Sequence, residues 1–186
     1  MASEDSTWIA FNRRHVMDIF QCLGKFLESE ELHDTIVVVG NTQFKCYKPI
    51  LAAHSGYFRT AFNSKLNENK NIYRLEEISC ETFKLIRHAM HTGCTIVTED
   101  NVIDLMKAAD YLNIPFLENE CARFIQEVLS LENCLNFYLS GKHFNSEKVK
   151  NFVWPFILEN FYSLCHRDNF LDLSTNDLLK LVQSQI

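Results

Sequence analysis

Glycine and proline are scarce in this chain, with five glycines and three prolines among 186 residues. Because no low-complexity tract occurs either, disorder is not expected beyond the two ends. The composition, 47% hydrophobic and 23% charged, is that of a globular protein with room for one large domain or two small ones. Frequent Leu, Phe, Ile and Glu beside so few helix-breaking residues favour helix.

Clustered basic residues are also lacking. The formal net charge is −6 and the sequence pI is about 5.6. Nucleic-acid binding requires grouped Lys and Arg that displace counterions from phosphates. Here the basic residues are scattered, and the pair Arg13-Arg14 stands alone. The sequence therefore argues against a protein that binds DNA or RNA directly.

Paired cysteine spacings and long apolar runs are missing as well. The seven cysteines are an odd number and form no C-x-x-C motif. No stretch approaches the roughly 18 apolar residues of a membrane span, and the first residues have no apolar stretch of the signal-peptide type. These features predict reduced, buried thiols in a cytoplasmic or nuclear protein without a membrane partner.

Catalytic and metal-binding motifs are not found. The chain has no G-x-S-x-G, G-x-G-x-x-G or P-loop motif, and the adjacent pair His54-Ser55 cannot aim one side chain at the other. His88, His91 and Cys94 offer three candidate ligands, whereas a structural zinc needs four. We therefore expect surface and interface histidines, no metal, no cofactor and no enzymatic activity.

The first predicted element is an amphipathic helix that ends near residue 32. It is inferred from five apolar residues at helical spacing: Val16, Ile19, Phe20, Leu23 and Leu27. A β-hairpin follows, because the β-branched residues 35–39 and the alternating residues 42–47 flank the turn signal Gly40-Asn41. Residues 72–75 are predicted as a third short strand and residues 94–97 as a fourth.

Helices are predicted between and after these strands. Two are short, at residues 48–55 and 57–62. A longer one opens at Ser79 and stops at Gly93, and the next opens at Thr98. Another begins at Pro115, where the missing proline N–H costs nothing, and ends near residue 128. This pattern predicts an α+β fold, a small sheet packed by about six helices.

From residue 130 onward the pattern is helical only. Residues 131–144 and 145–161 indicate a helix pair, and Ser174 with Asp177 has the spacing of a capping box at the start of a last helix. The prediction is a second, all-α module. The sequence stops after the helix that this capping box begins.

Four sequence segments, taken in chain order, resemble those of a known family. The segments are "LHDTIVVVGNTQFKCYKPILAAHSGYFRTAF" and "HTGCTIVTEDNVIDLMKAADYLNI", followed by "ENCLNFYLSGKHFNSEKVKNF" and "FLDLSTNDLLKLVQS". The first two resemble a BTB (POZ) domain, and the last two resemble the BACK module that follows BTB in Kelch-like proteins. The resemblance implies a BTB domain with its dimerisation helix at residues 12–128 and an apparently truncated BACK domain, with its 3-box helix pair, at residues 130–186.

The resemblance also implies a partner, the ubiquitin-ligase scaffold cullin-3. Cullin-3 adaptors of this family carry a hydrophobic-x-Glu motif after the third helix, and this chain has Leu66-Asn67-Glu68 at that position. Leu66 would then be an apolar knob for the cullin N-terminal domain, with Phe62 beside it. The alternative is that Leu66 packs under its own loop.

The 3-box region would extend this cullin contact through Phe144 and Phe152. Two departures from the family pattern stand out. Pro155 interrupts a helix that usually runs without proline, at a typical cost of about 3 kcal/mol, so a kink could reshape the groove. Tyr47 occupies a position where histidine is common.

The first helix would pair two BTB domains. By this resemblance Val16, Ile19, Phe20 and Leu23 lie in a homodimer interface, with Asp34 and Lys48 as a charged pair near it. A self-complementary two-fold contact is the commonest oligomer geometry. The alternative is a helix folded onto its own domain.

Two functional classes remain. The first is a non-catalytic substrate adaptor of a cullin-3 RING E3 ubiquitin ligase, whose substrate binds a region absent from these residues, such as Kelch repeats. The second is a BTB self-association module of a transcriptional regulator or scaffold. The Leu66-x-Glu68 motif and the BACK start favour the first class, of either cellular or viral origin.

Overall fold

The computed structural model describes residues 13–64, 70–143 and 147–184. Over these ranges the chain is mostly helical with one small sheet, as the composition predicts. The helices are α1 Arg13–Ser29, α2 Lys48–His54, α3 Gly56–Asn63, α4 Cys80–Thr92, α5 Val102–Tyr111, α6 Pro115–Val128, α7 Cys134–His143, α8 Glu147–Glu159, α9 Phe161–Leu164 and α10 Thr175–Gln183, with a 3₁₀ helix at Asp168–Asp172.

The sheet has the strand order β2-β1-β3. Strands β1 (Thr35–Val39) and β2 (Thr42–Cys46) form the predicted antiparallel hairpin, with Val39 opposite Thr42. Gly40, with φ of 56°, occupies the turn in a conformation that residues with a Cβ seldom adopt. Strand β3 (Ile72–Leu75) pairs in parallel with β1. All three of these strands match the sequence prediction.

The prediction of a fourth strand is wrong. Residues 94–97 form no regular secondary structure and pair with no strand in the described parts of the chain. Side-chain hydrogen bonds hold this segment instead. Thr95 Oγ1 donates to the Leu85 carbonyl, and Asn101 Nδ2 donates to the Ile96 carbonyl. The β-branched composition indicated a strand, but a strand also requires a neighbour.

The helix boundaries follow the predicted caps, with one exception. The Ser79 side chain accepts from the Thr82 amide at the start of α4, and Gly93 ends that helix with φ of 72°. Pro115 is the first residue of α6. Helix α5 begins at Val102 instead of Thr98, because residues 98–101 form a turn in which the Thr98 carbonyl accepts from the Val102 amide.

One hydrophobic core runs through the whole described chain. It includes Val37 of β1, Phe83 of α4 and Leu105 of α5, and it continues to Leu135 of α7 and Leu181 of α10. No strand is found among the described residues after 130, as predicted. The helical second part therefore packs directly against the first. Within the described ranges, no helix combines the length and apolar composition that a bilayer span requires.

Candidate protein-interaction surfaces

Phe62 lies at the end of α3 as a half-buried packing residue. Its ring stacks on Phe58 with centroids 5.6 Å apart and meets Tyr73 edge-on at 4.9 Å. The Lys48 ammonium lies 5.9 Å from the same ring. These contacts fix the end of α3, immediately before the segment that contains the hydrophobic-x-Glu motif. Leu66, Asn67 and Glu68 themselves lie outside the described residues.

The predicted helix pair exists as α7 and α8, which cross closely. A Cβ on Gly141 of α7 would lie 2.8 Å from Cγ1 of Val149 on α8. Phe152 is half-buried and packs against the core, whereas Phe144 lies outside the described residues. Helix α8 continues through Pro155, which is exposed. Because the proline faces solvent, water can bind the helix carbonyl that loses its amide donor, and the predicted interruption does not end α8.

A buried carboxylate fastens α7 to the start of α10. Asp177 is 1% exposed and accepts hydrogen bonds from Lys142 Nζ at 2.5 Å and from Tyr138 OH at 3.0 Å. Ser174 completes the predicted capping box. Burial alone would raise the pKa of Asp177, but the hydrogen bonds from Lys142, Ser174 and Tyr138 outweigh it and lower that pKa. Sequence spacing predicted the cap but not its partners on α7.

Helix α1 packs on α4 with one face and exposes apolar side chains on another. Gly24 lies against Thr92, and the Phe20 ring lies near Gly93. Val16 and Ile19 are 45% and 47% exposed. Of the predicted dimer residues, Phe20 and Leu23 are therefore half-buried within the chain, while Val16 and Ile19 face outward.

Asp34 and Lys48 meet, but not as the predicted charged pair. The Asp34 carboxylate accepts from the backbone amide of Lys48 at 2.7 Å, at the start of α2. The Lys48 ammonium turns away and donates to Asn71 Oδ1 at 2.9 Å. The carboxylate thus satisfies an open helix N–H, which suits its negative charge better than a solvent-exposed ammonium would.

Tyr47 ties the end of α1 to the sheet. Its hydroxyl lies 2.7 Å from the Phe26 carbonyl and 2.5 Å from the Glu31 carbonyl, and it donates to one at a time. Sequence reasoning noted this residue only as a departure from the family pattern. Tyrosine at this position supplies a hydroxyl that binds the backbone on both sides of the helix end.

The histidine and cysteine cluster of α4 is dispersed. His88 Nδ1 lies 2.8 Å from the Cys94 carbonyl, whereas His91 points into the core and is 0% exposed. The expectation of a surface or interface position is therefore wrong for His91 within this chain. In the described ranges no group of three His, Cys, Asp or Glu side chains is arranged to hold a metal ion.

All seven cysteines are free thiols. Cys46, Cys121 and Cys134 are buried, as predicted, but Cys22 and Cys94 are exposed. Burial raises the pKa of the Cys46 and Cys121 thiols to about 12. Those two cysteines therefore serve as small apolar core residues and are poor nucleophiles.

Two family models match the chain in succession. The BTB/POZ domain model matches residues 23–129, and the model named BTB And C-terminal Kelch (BACK) matches residues 134–185. The first match alone covers more than half of the chain.

Similar proteins have Kelch or BTB in their names. Kelch repeat and BTB domain-containing protein 8 from Xenopus tropicalis is 29% identical over 177 residues, which cover 94% of this chain and 29% of that protein. Kelch-like protein 40 from Mus musculus is 32% identical over 161 residues, 87% of this chain and 25% of the relative. The chain thus spans less than a third of the length of the curated relatives it matches. It belongs to the BTB/POZ family and has the BTB–BACK arrangement of Kelch-like proteins.

Proposed function

We propose that this chain is the scaffold-binding part of a substrate adaptor for a cullin-3 RING ubiquitin ligase, and that it acts as a homodimer. The observation that carries the proposal is a BTB region followed directly by a BACK region on one continuous core. Kelch-like relatives share this succession. The adaptor has no catalytic role in this proposal, and its substrate binds a region beyond these residues, in the cytoplasm or nucleus.

The cullin contact is assigned to the segment after α3 and to the α7–α8 pair. Leu66 is the central apolar contact, and Glu68 fixes the segment or the docking geometry. Burying one leucine side chain in a partner contributes roughly 1.5–3 kcal/mol, enough for a hot spot among neutral contacts. The aromatic packing of Phe62 supports this assignment, because it fixes the end of α3 immediately before the segment. Phe144 and Phe152 would extend the contact.

The test is isothermal titration of the chain with the cullin-3 N-terminal domain. We expect one cullin domain per protomer, with binding weakened at least about tenfold by Leu66→Asp and by Glu68→Ala. Leu171→Asp is the matched control, because Leu171 is a leucine that is 84% exposed elsewhere in the chain. Light scattering verifies that each variant keeps its oligomeric state.

Two results would contradict the proposal. If the folded dimer binds no cullin, the chain is a self-association module of the kind found in regulators or scaffolds. If cullin binds but Leu66→Asp and Leu171→Asp behave alike, the contact lies elsewhere on the surface.

A further inference from the structure

Strand β3 forms one edge of the sheet. In the order β2-β1-β3 it has a neighbouring strand on one side only. The Ile36 amide donates to the Asn71 carbonyl at 2.8 Å, and Ile36 lies opposite Ile72. In a parallel ladder with this register, the backbone groups of Asn71 and Tyr73 turn towards β1. The N–H and C=O groups of Ile72 and Arg74 therefore point away from the sheet.

These outward groups of β3 have no hydrogen-bond partner among the described residues. The opposite edge of the sheet differs, because the outward carbonyl of Lys45 on β2 accepts from Arg87 Nη1 at 3.0 Å. A strand edge with unpaired backbone groups is a template on which another strand can form. Strand β3 is therefore the edge at which this sheet can be extended.

The side chains of β3 hold the strand in place and leave one face open. Tyr73 and Leu75 are buried in the chain's own core, which fixes the register of β3 against β1. Arg74 is exposed, and Ile72 on the same face is 47% exposed. An added strand would cover this isoleucine, so pairing along the edge would also bury apolar surface.

The two ends of β3 carry opposite charges. Lys70 precedes the strand, Glu76 and Glu77 follow it, and all three side chains are exposed. An antiparallel copy of the same segment reverses this order, so the basic end of each copy meets the acidic end of the other. Opposite charges across two strands stabilise their pairing, whereas a parallel copy would place like charges together. This pattern favours a second copy of the chain as the occupant of the edge.

We propose that two copies of this chain pair antiparallel along β3 and join their three-stranded sheets into one continuous sheet. With Ile72 opposite Arg74 of the other copy, every outward N–H and C=O group of these two residues finds a partner, and Tyr73 lies at the two-fold axis. The same register places Lys70 opposite Glu76 of the other copy. In the single chain the Lys70 ammonium lies 5.7 Å from the Tyr73 ring centroid, an exposed contact weak enough for the side chain to turn to a carboxylate.

This contact is separate from the apolar face of α1. A chain that pairs through α1 and also through β3 has two self-complementary surfaces on different elements. The β3 contact would therefore link the proposed homodimers to one another. It needs no cullin, so it goes beyond the proposed function and does not depend on it.

Sedimentation velocity over a range of protein concentrations tests the pairing. The average mass of the unchanged protein is expected to rise with concentration. Arg74→Pro removes an outward N–H but no hydrogen bond to β1, a change that edge strands tolerate. The paired edge then loses two hydrogen bonds, so self-association is expected to weaken at least about tenfold. Arg74→Thr, which keeps the N–H, is the matched control and is expected to stay within about threefold of the unchanged protein.

Charge reversal tests the register. Lys70→Glu and Glu76→Lys each place like charges opposite one another, so each variant alone is expected to self-associate more weakly than the unchanged protein. In an equimolar mixture of the two variants, opposite charges face each other again at both ends of the paired strands. The mixture is expected to associate at least about fivefold more tightly than either variant alone at low salt, and the difference should shrink at high salt.

Three results would overturn the pairing along β3. The first is a mass that does not change with concentration. The second is equal self-association of Arg74→Pro and Arg74→Thr, with thermal unfolding showing that both are folded. The third is a mixture of Lys70→Glu and Glu76→Lys that associates no better than each variant alone, an arm that stays decisive if Arg74→Pro fails to fold. All three leave the adaptor proposal standing, because cullin binding is measured separately by titration.

Discussion

His91 shows how a single side chain depends on its surroundings. Its Nδ1 lies 2.6 Å from the Arg87 carbonyl, and its ring centroid lies 5.3 Å from that of Tyr47. Within the described residues, Nε2 has no hydrogen-bond partner. Burial lowers the pKa of His91 to about 4. The backbone hydrogen bond with Arg87 acts in the opposite direction, and the positive charge of Arg87 adds a smaller lowering. The folded protein therefore keeps this imidazole neutral.

This depressed pKa predicts an acid-dependent loss of stability. The unfolded chain binds the proton near pH 6.5 and the folded chain only near pH 4. The free energy of unfolding should thus fall as the pH drops from 6.5 to 4, by up to about 3 kcal/mol. Urea titrations at several pH values measure this slope, which His91→Leu should reduce.

The control for this slope is His88→Gln, a change at an exposed position of the same helix. That variant should keep the acid slope of the unchanged protein. Equal slopes for His91→Leu and the unchanged protein would show that His91 does not carry this part of the acid sensitivity.

At the scale of elements, two glycines permit helix pairs to approach. Gly141 lets α7 approach α8, and Gly24 lets α1 approach α4. The two contacts differ in tightness. A Cβ at Gly141 would lie 2.8 Å from Val149 Cγ1, whereas a Cβ at Gly24 would lie 3.3 Å from Thr92 Cγ2. The first distance requires Val149 or its helix to shift, whereas the second requires Thr92 to give by only a few tenths of an ångström.

Gly141→Ala should therefore destabilise the protein by roughly 1–3 kcal/mol, the usual cost of overpacking a core. Gly24→Ala is the matched control, since both changes gain the same helix propensity of about 1 kcal/mol. We expect Gly24→Ala to be near neutral or stabilising in urea unfolding. Equal effects of the two changes would mean that the α7–α8 crossing can relax.

At the scale of the whole molecule, one face of α1 exposes apolar side chains within the single chain. Val16, Met17 and Ile19 are each 45–47% exposed, although α1 is fastened to its own chain by Gly24 and Tyr47. BTB–BACK proteins are protein-interaction modules that generally dimerise, and an exposed apolar face on a firmly attached helix fits that role. The position of Val16 and Ile19 supports their assignment to the interface.

Ile19→Asp should convert the proposed homodimer to a monomer. An unpaired carboxylate buried at an interface costs about 3 kcal/mol or more, so the dimer dissociation constant should rise at least about 100-fold. Size-exclusion chromatography with light scattering measures the mass. Leu179→Asp, at a position 56% exposed on α10, is the control and should leave the dimer intact. A dimer that survives Ile19→Asp would place the interface on another surface.

The local features of this protein could be predicted from its sequence. The helical spacing of apolar residues predicted α1, and β-branched and alternating residues around a turn signal predicted the hairpin. Ser79 and Gly93 marked the two ends of α4, and Ser174 with Asp177 marked the start of α10. Each of these features depends on interactions between residues a few positions apart, so a short window of sequence is enough to predict it. The order of these words also identified the BTB–BACK family.

Tertiary structure alone decided the rest. Residues 94–97 have the composition of a strand but no neighbour with which to pair. The sequence predicted a surface or interface position for His91, but α4 places its ring in the core beside Tyr47. The Lys48 charge lies against Asn71, and Tyr57 meets Tyr111 only because Gly56 docks on Asn113. Such contacts join residues far apart in the chain. Their energies depend on burial and on three-dimensional neighbours, which no local pattern encodes.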